Sequence, residues 1–235
     1  MFTVSLIGPD GVGKTTIASR LQGDFPLPVK YIYMGMNPEA SNYMLPTTRW
    51  WEKRKGRQKG NEQADVELNE FSAKGDAGKT YAKRTLFMIR KGIGFINRVA
   101  EESYRHFIAT IFVKRGYVVL YDRHYVYDYY HDDINNTNKG NASKKRKMHG
   151  LFLKHMLPEP DFVICLDAPG EVVFNRKGEF TPEYLELRRN QYLSLKGVIK
   201  NFSIVNANRE LDMVVDDVGK EILEFYRRRQ SGDKH

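Results

Sequence analysis

The sequence predicts an α/β fold built on a five-stranded parallel sheet. Five short apolar runs rich in β-branched residues are spaced along the chain. Helix-compatible stretches separate them, and strands that alternate with helices need crossover connections and therefore a parallel sheet. The runs are continuously apolar rather than alternating, which suits strands covered on both faces.

The first run, Phe2–Ile7, enters a glycine-rich turn and then a helical stretch, Lys14–Leu21. The second run is Val29–Met34. A long helical stretch, Arg84–Val113, leads to the third run, Tyr117–Tyr121. The fourth, Phe162–Leu166, precedes a helix over Glu183–Lys200, and the fifth, Phe202–Val205, precedes a helix over Val214–Arg229. Two connections, about 35–83 and 132–150, are longer than this plan needs, and such connections serve as lids, binding segments or mobile insertions. Arg227–His235 reads as a frayed, charged tail. No internal repeat is present.

Hydrophobic residues make up 41% of the chain and aromatics 12%, values that argue against wholesale disorder. No apolar stretch approaches the roughly 18 residues of a membrane span. The first residues lack the basic start and apolar middle of a signal peptide. A single cysteine, Cys165, excludes an intramolecular disulfide framework and on a core strand reads as packing. The histidines lack zinc-ligand spacing. The expectation is one cytoplasmic domain over residues 1–235.

The net charge of +9 is unevenly placed. Residues 49–59 carry six Lys/Arg and one Glu, and residues 139–149 carry five Lys/Arg and no acid, so each segment holds +5. Removing both leaves −1 for the remainder. One segment falls in each long connection, and each suits a polyanion, a membrane surface, a phosphorylated substrate or simple solubility.

The chemistry concentrates in Gly8-Pro9-Asp10-Gly11-Val12-Gly13-Lys14-Thr15, which matches G-x-x-x-x-G-K-[ST] between a strand and a helix. Glycines let backbone N–H groups close on phosphate oxygens, and the helix N-terminus adds a positive dipole end. Lys14 can bridge the β- and γ-phosphates, and Thr15 can offer its hydroxyl to Mg²⁺. Asp122, ending the third run, lies where open parallel sheets bind ligands, and suits holding Mg²⁺ through water, orienting an attacking oxygen as a catalytic group, or a surface salt bridge. Arg123 can clamp an acceptor phosphate. Asp167 ends the fourth run in a similar context, or caps a turn. Arg176, Lys177, Arg188 and Arg189 are candidate cations for a closing segment over about 174–183, or a solvated helix face. Tyr125–Tyr130 suits a pocket wall or the core.

Taken together these residues resemble the thymidylate kinases and related nucleoside monophosphate kinases. Gly8 to Thr16 looks like that family's G-x-D-G-x-G-K-T-T, Asp122-Arg123-His124 like its D-R-[YH], and Asn97-Arg98 like the Asn-Arg of its preceding helix. Leu157 to Glu171 is similar to its L-P-x-P-D segment, and Arg176-Lys177-Gly178-Glu179 to its lid. The resemblance implies a P-loop NTPase three-layer sandwich with strand order 2-3-1-4-5 and helices on both faces. It implies ATP and Mg²⁺ as cofactors and phosphoryl transfer to a nucleoside monophosphate, dTMP being the nearest. Gly8, Gly11, Val12, Gly13, Lys14, Thr15 and Thr16 would hold the donor phosphates, with Arg176 and Ala207 toward the adenine. Asp10, Arg98 and Arg123 would meet the acceptor, with Phe95 and Tyr127 lining its site. Gly11 stands where some members place a catalytic arginine, which moves that role to Arg176 or Lys177. Members of the family are commonly dimers.

Two departures fall on the acceptor side. The family's T-R-E-P-G-G-T after strand two is here Met34-Gly35-Met36-Asn37-Pro38-Glu39, and the residues after D-R-H are aromatic. Another small acceptor on the same scaffold, such as a sugar or biosynthetic intermediate, is therefore the second reading. A nucleotide-binding or nucleic-acid-associated protein without transfer activity is the third.

Overall fold

The computed structural model describes residues 1–35, 41–50, 96–97, 99–124 and 158–232. They fall into two compact units: Met1–Asn42 with His106–His235, and Tyr43–Arg105.

The first unit holds a sheet of β1 (Thr3–Ile7), β2 (Val29–Tyr33), β3 (Val118–Asp122), β4 (Phe162–Asp167) and β5 (Phe202–Asn206). All neighbours are parallel and the order is β2-β3-β1-β4-β5, as expected. Every residue of β3 is buried, which requires cover on both faces and accounts for its unbroken apolarity. The helices are α1 (Lys14–Asp24), α2 (residues 106–114 in this unit), α3 (Gly170–Lys177), α4 (Pro182–Ser194) and α5 (Leu211–Ser231).

Helical spacing sets what α1 and α5 bury. Ile17, Ala18 and Leu21 form one stripe, and Val214, Val218 and Ile222 another; both join the core of Phe2, Val4, Leu6, Leu120, Ile164 and Leu166. Each of these large side chains contributes about 1.5–3 kcal/mol by leaving water. Phe225 of α5 stacks on Phe162 at 4.7 Å and meets Phe2 edge-on at 5.1 Å. Cys165 is buried in this core, where desolvation pushes its thiol up to about 12.

Several boundaries differ from expectation. Strands β3, β4 and β5 each extend one residue, to Asp122, Asp167 and Asn206. Backbone pairing continues past the last apolar side chain, since Leu6 pairs with Asp122 and Asp167 with Asn206. Helix α4 stops at Ser194 and a 3₁₀ turn follows over Leu195–Gly197. The C-terminal residues are not a frayed tail from Arg227: α5 continues to Ser231. Arg229 donates to Asp161 Oδ1 at 2.6 Å, and its guanidinium lies 6.0 Å from the Phe2 ring centre, so this end is tied to the starts of β1 and β4.

The second unit is described over residues 43–50, 96–97 and 99–105, mostly helical. Glu101 organises it: its Oε2 accepts from Leu45 N at 3.0 Å and Thr48 Oγ1 at 2.8 Å, and its Oε1 pairs with Arg105 at 3.0 Å. Asn97 Nδ2 donates to Thr48 Oγ1 at 2.9 Å. Trp50 is exposed. Phe95, Arg98, Tyr127, Trp51, the aromatic run 125–130 and nearly all of both basic segments lie outside the described residues. No helix among the described residues is long and apolar enough to cross a membrane.

Candidate functional site

The turn between β1 and α1 curls because its glycines adopt conformations other residues resist. Gly8 has φ +142°, and a Cβ there would stand 2.7 Å from the Leu166 carbonyl oxygen, so only glycine lets the turn pass β4. Gly11 has φ +93°, and a Cβ there would sit 3.2 Å from Val173 Cγ1 and 3.3 Å from Lys177 Cβ. Position 11 therefore abuts helix α3. Arg176 and Lys177 of that helix line the same cleft as Gly11.

Lys14 opens α1 and is buried. Its ammonium donates to the carbonyls of Gly8 at 2.7 Å and Pro9 at 2.8 Å, and stands 4.0 Å from the Asp10 carboxylate. A cation is thus held inside the turn by neutral oxygens and one partly exposed acid.

The end of β3 supplies the opposite wall. Asp122 is buried, and its Oδ2 accepts from Thr15 Oγ1 at 2.5 Å and from the Tyr31 hydroxyl at 3.1 Å. Its Oδ1 is buried with no hydrogen-bond partner among the described residues. Burial, and then the Asp122 charge, raise the Tyr31 phenol well above its ordinary value, so it stays a donor. Arg123 follows with φ +71°, a conformation uncommon for a residue with a side chain. That twist turns its guanidinium to Asp10 Oδ1, with which it pairs.

These residues line one cleft of about 610 Å³, bounded by Asp10, Gly11, Lys14 to Thr16, Tyr33, Asp122, Arg123 and the end of α3. Arg176, Lys177, Glu179 and Phe180 supply that last side. Helix α3 stops at Gly178, φ +67°, whose N–H donates to Phe174 O at 2.7 Å. Thr181 then caps α4, accepting from Tyr184 N at 3.3 Å, with Pro182 opening the helix. A second cavity, about 390 Å³, shares Gly11, Gly13, Thr16 and Arg176 with the first and continues past Val12 to Ala207, Arg209 and Leu211. Arg176 Nη2 donates to Ala207 O at 2.9 Å between the two. Lys177 pairs with Glu179 at 2.9 Å, both half-exposed.

The four candidate cations separate in the fold. Arg176 and Lys177 face the cleft. Arg189 instead grips Asp167 and Glu186, and Arg188 bonds Gln191 and Tyr192 on its own helix. Asp167 is therefore an anchor for α4 rather than a turn cap, and Asp167, Arg188 and Arg189 are outside the lining of both cavities. Tyr31 and Tyr33 were not singled out by the sequence. Two aromatics in an apolar strand look like core, and only pairing across β3 places Tyr31 beside Asp122.

The donors suit a divalent cation with an incomplete protein shell. Thr15 and Asp122 offer oxygen ligands, and Asp122 Oδ1 has no partner among the described residues. Among the described residues no cluster of three or more His, Cys, Asp or Glu could hold a metal. The remaining ligands would come from bound phosphate and water, the habit of Mg²⁺ rather than of a structural metal. No protein-family model matches the chain, and no curated protein matches it either.

Proposed function

We propose that the chain is a P-loop phosphotransferase that moves the γ-phosphoryl group of ATP to a small phosphorylated acceptor, in the manner of nucleoside monophosphate kinases. The observation that carries this reading is the convergence, in one cleft at the carboxyl ends of parallel strands, of Lys14, Thr15, Asp122, Arg123 and Arg176. Four cations, Lys177 being the fourth, and a glycine-rich helix entrance gather there, around one buried carboxylate. That composition suits a polyphosphate with Mg²⁺.

ATP would lie across the Gly8–Thr16 turn, its base toward Ala207 and Arg209. Lys14 would exchange two carbonyl partners for phosphate oxygens of higher charge. Thr15 and Asp122 would hold Mg²⁺, which supplies charge neutralisation on the phosphates. Arg123 would leave Asp10 for the acceptor's phosphate, freeing Asp10 for an acceptor hydroxyl. Arg176, tethered to Ala207 O, would neutralise charge developing on the transferred group. The acceptor oxygen attacks the γ-phosphorus, the bond to the β-bridging oxygen breaks, and ADP leaves. Catalysis is positioning and charge neutralisation.

dTMP is the nearest acceptor by resemblance. The wall after β2 favours keeping a second: Tyr33 lines the cleft there, with Met34 and Gly35 following, and no arginine stands among these. A sugar or other small phosphorylated acceptor fits that wall too. The test is acceptor-dependent ADP release with a panel of dTMP, other nucleoside monophosphates, sugars and sugar phosphates. Stimulation by one monophosphate supports the first acceptor class, and stimulation by sugars alone the second. ATP binding with no acceptor-stimulated ADP release would overturn transfer altogether.

A further inference from the structure

We infer that Tyr31 is a positioning residue for the divalent cation, holding the Asp122 carboxylate so that Oδ1 stays turned to the ion. The inference rests on the proposed nucleotide-and-Mg²⁺ reading of the cleft. It adds a residue which neither the glycine-rich motif nor the D-R-H motif contains.

Both hydrogen bonds that Asp122 receives from described side chains go to the same oxygen. Thr15 Oγ1 and the Tyr31 hydroxyl both donate to Oδ2, while Oδ1 is buried and unsatisfied among the described residues. The two donors differ in what a cation does to them. Thr15 is itself a candidate ligand, so its hold on Asp122 would change were its hydroxyl oxygen given to an ion. Tyr31 lies one strand away on β2 and is no ligand in this arrangement. It is the partner that can persist in both states.

Tyr31 is also well fixed. Its strand pairs with β3 through Tyr31 opposite Leu120 and Tyr33 opposite Asp122. The side chain of Asn42 continues that edge, with Nδ2 donating to Tyr31 O at 2.6 Å and Oδ1 accepting from Tyr33 N at 3.3 Å. A carboxylate that faces a metal needs its other oxygen bonded, or it rotates. Removing such a partner costs about 10–100-fold in metal affinity.

The test is Tyr31→Phe, which keeps the ring and removes the donor. A fluorescent ADP analogue is titrated with Mg²⁺, and separately bound in EDTA. The expected result is about a 10-fold rise in the Mg²⁺ needed for half-maximal effect, with metal-free nucleotide binding unchanged. The cycle is closed with Asp122→Asn, on which Tyr31→Phe should add little. A purely structural role would lower thermal stability and weaken binding equally with and without Mg²⁺, and that pattern would overturn the inference. So would coincident Mg²⁺ curves for wild type and Tyr31→Phe. Absence of Mg²⁺-dependent nucleotide binding in the wild type would instead sink the underlying reading, and the inference with it. Should Tyr31→Phe fail to fold, Tyr31→His, whose shorter side chain cannot carry a donor to the place of the phenol oxygen, is put through the same titration. About a 10-fold loss in Mg²⁺ dependence supports the inference, and near-normal Mg²⁺ dependence overturns it.

Discussion

Arg189 holds Asp167 through two hydrogen bonds, Nε to Oδ1 at 2.6 Å and Nη2 to Oδ2 at 3.1 Å. The pair ties α4 to the end of β4, and a third bond, to Glu186 at 2.8 Å, fixes the guanidinium from its own helix. Both side chains are about a quarter exposed, so solvent screening limits what the pair contributes. Arg189→Met should lower stability by about 1–2 kcal/mol, the cost of a lost bidentate charged bond at a partly wet site. Urea unfolding measures it. Transfer activity should change only a few-fold, whereas a lid role for Arg189 would show as a collapse in kcat with stability intact.

Gly8 and Gly23 should respond to alanine in opposite directions. At Gly8 an alanine Cβ meets the Leu166 carbonyl at 2.7 Å with φ at +142°, so Gly8→Ala should cost at least about 2 kcal/mol. Gly23 lies in α1 with nothing within 4 Å of the added carbon, so Gly23→Ala should stabilise by about 0.5–1 kcal/mol through helix propensity. Paired thermal unfolding curves check both signs.

Arg176 lies near the end of α3 and Arg188 in the middle of α4, the next helix, yet of the two only Arg176 lines the cleft. Arg176→Ala should reduce kcat about 100-fold, the usual scale for losing one preorganised donor to the reacting group. Arg188→Ala should stay within a few-fold of wild type. Steady-state kinetics on the two variants, with the acceptor the panel identifies, decides it. Equal losses at both positions would place the catalytic cation elsewhere.

His106 lies in α2 against Tyr121 and His124, at ring-centre distances of 5.7 and 5.3 Å, and neither of its nitrogens has a hydrogen-bond partner among the described residues. Burial lowers its pKa from 6.5 to about 4. The unfolded chain then binds more protons than the folded one between those values. Stability from the neutral ring is fully present above about pH 6.5 and is lost as pH falls toward 4. The loss approaches about 3 kcal/mol at the lower end. His106→Phe should flatten that part of the curve in a chemical-denaturation series from pH 7 to 4.5. An unchanged slope would assign the acid sensitivity to other groups, the neighbouring buried His124 first.

Much of this was legible in one dimension. A glycine-rich turn between an apolar run and a helix has few conformations available, so its motif announces its geometry. Continuous apolar runs announced buried parallel strands because water is excluded from both faces. Boundaries were less legible at Asp122, Asp167 and Asn206, where the chain turns polar before the backbone stops pairing. The end of α5 was misread for a related reason: its arginines look solvated in sequence, but Asp161 and two aromatic rings receive them.

The sequence by itself determined the alternation of strands and helices, the glycine-rich turn between β1 and α1 and the carboxylate at the end of β3, because each depends on neighbours within a few residues. The tertiary structure decided which two of four cations face the cleft, that Asp167 is held by Arg189, and that Tyr31 bonds Asp122 from 91 residues away. Those outcomes depend on strand order and helix packing, which bring distant side chains to hydrogen-bonding distance of one another. Local spacing carries no record of that approach.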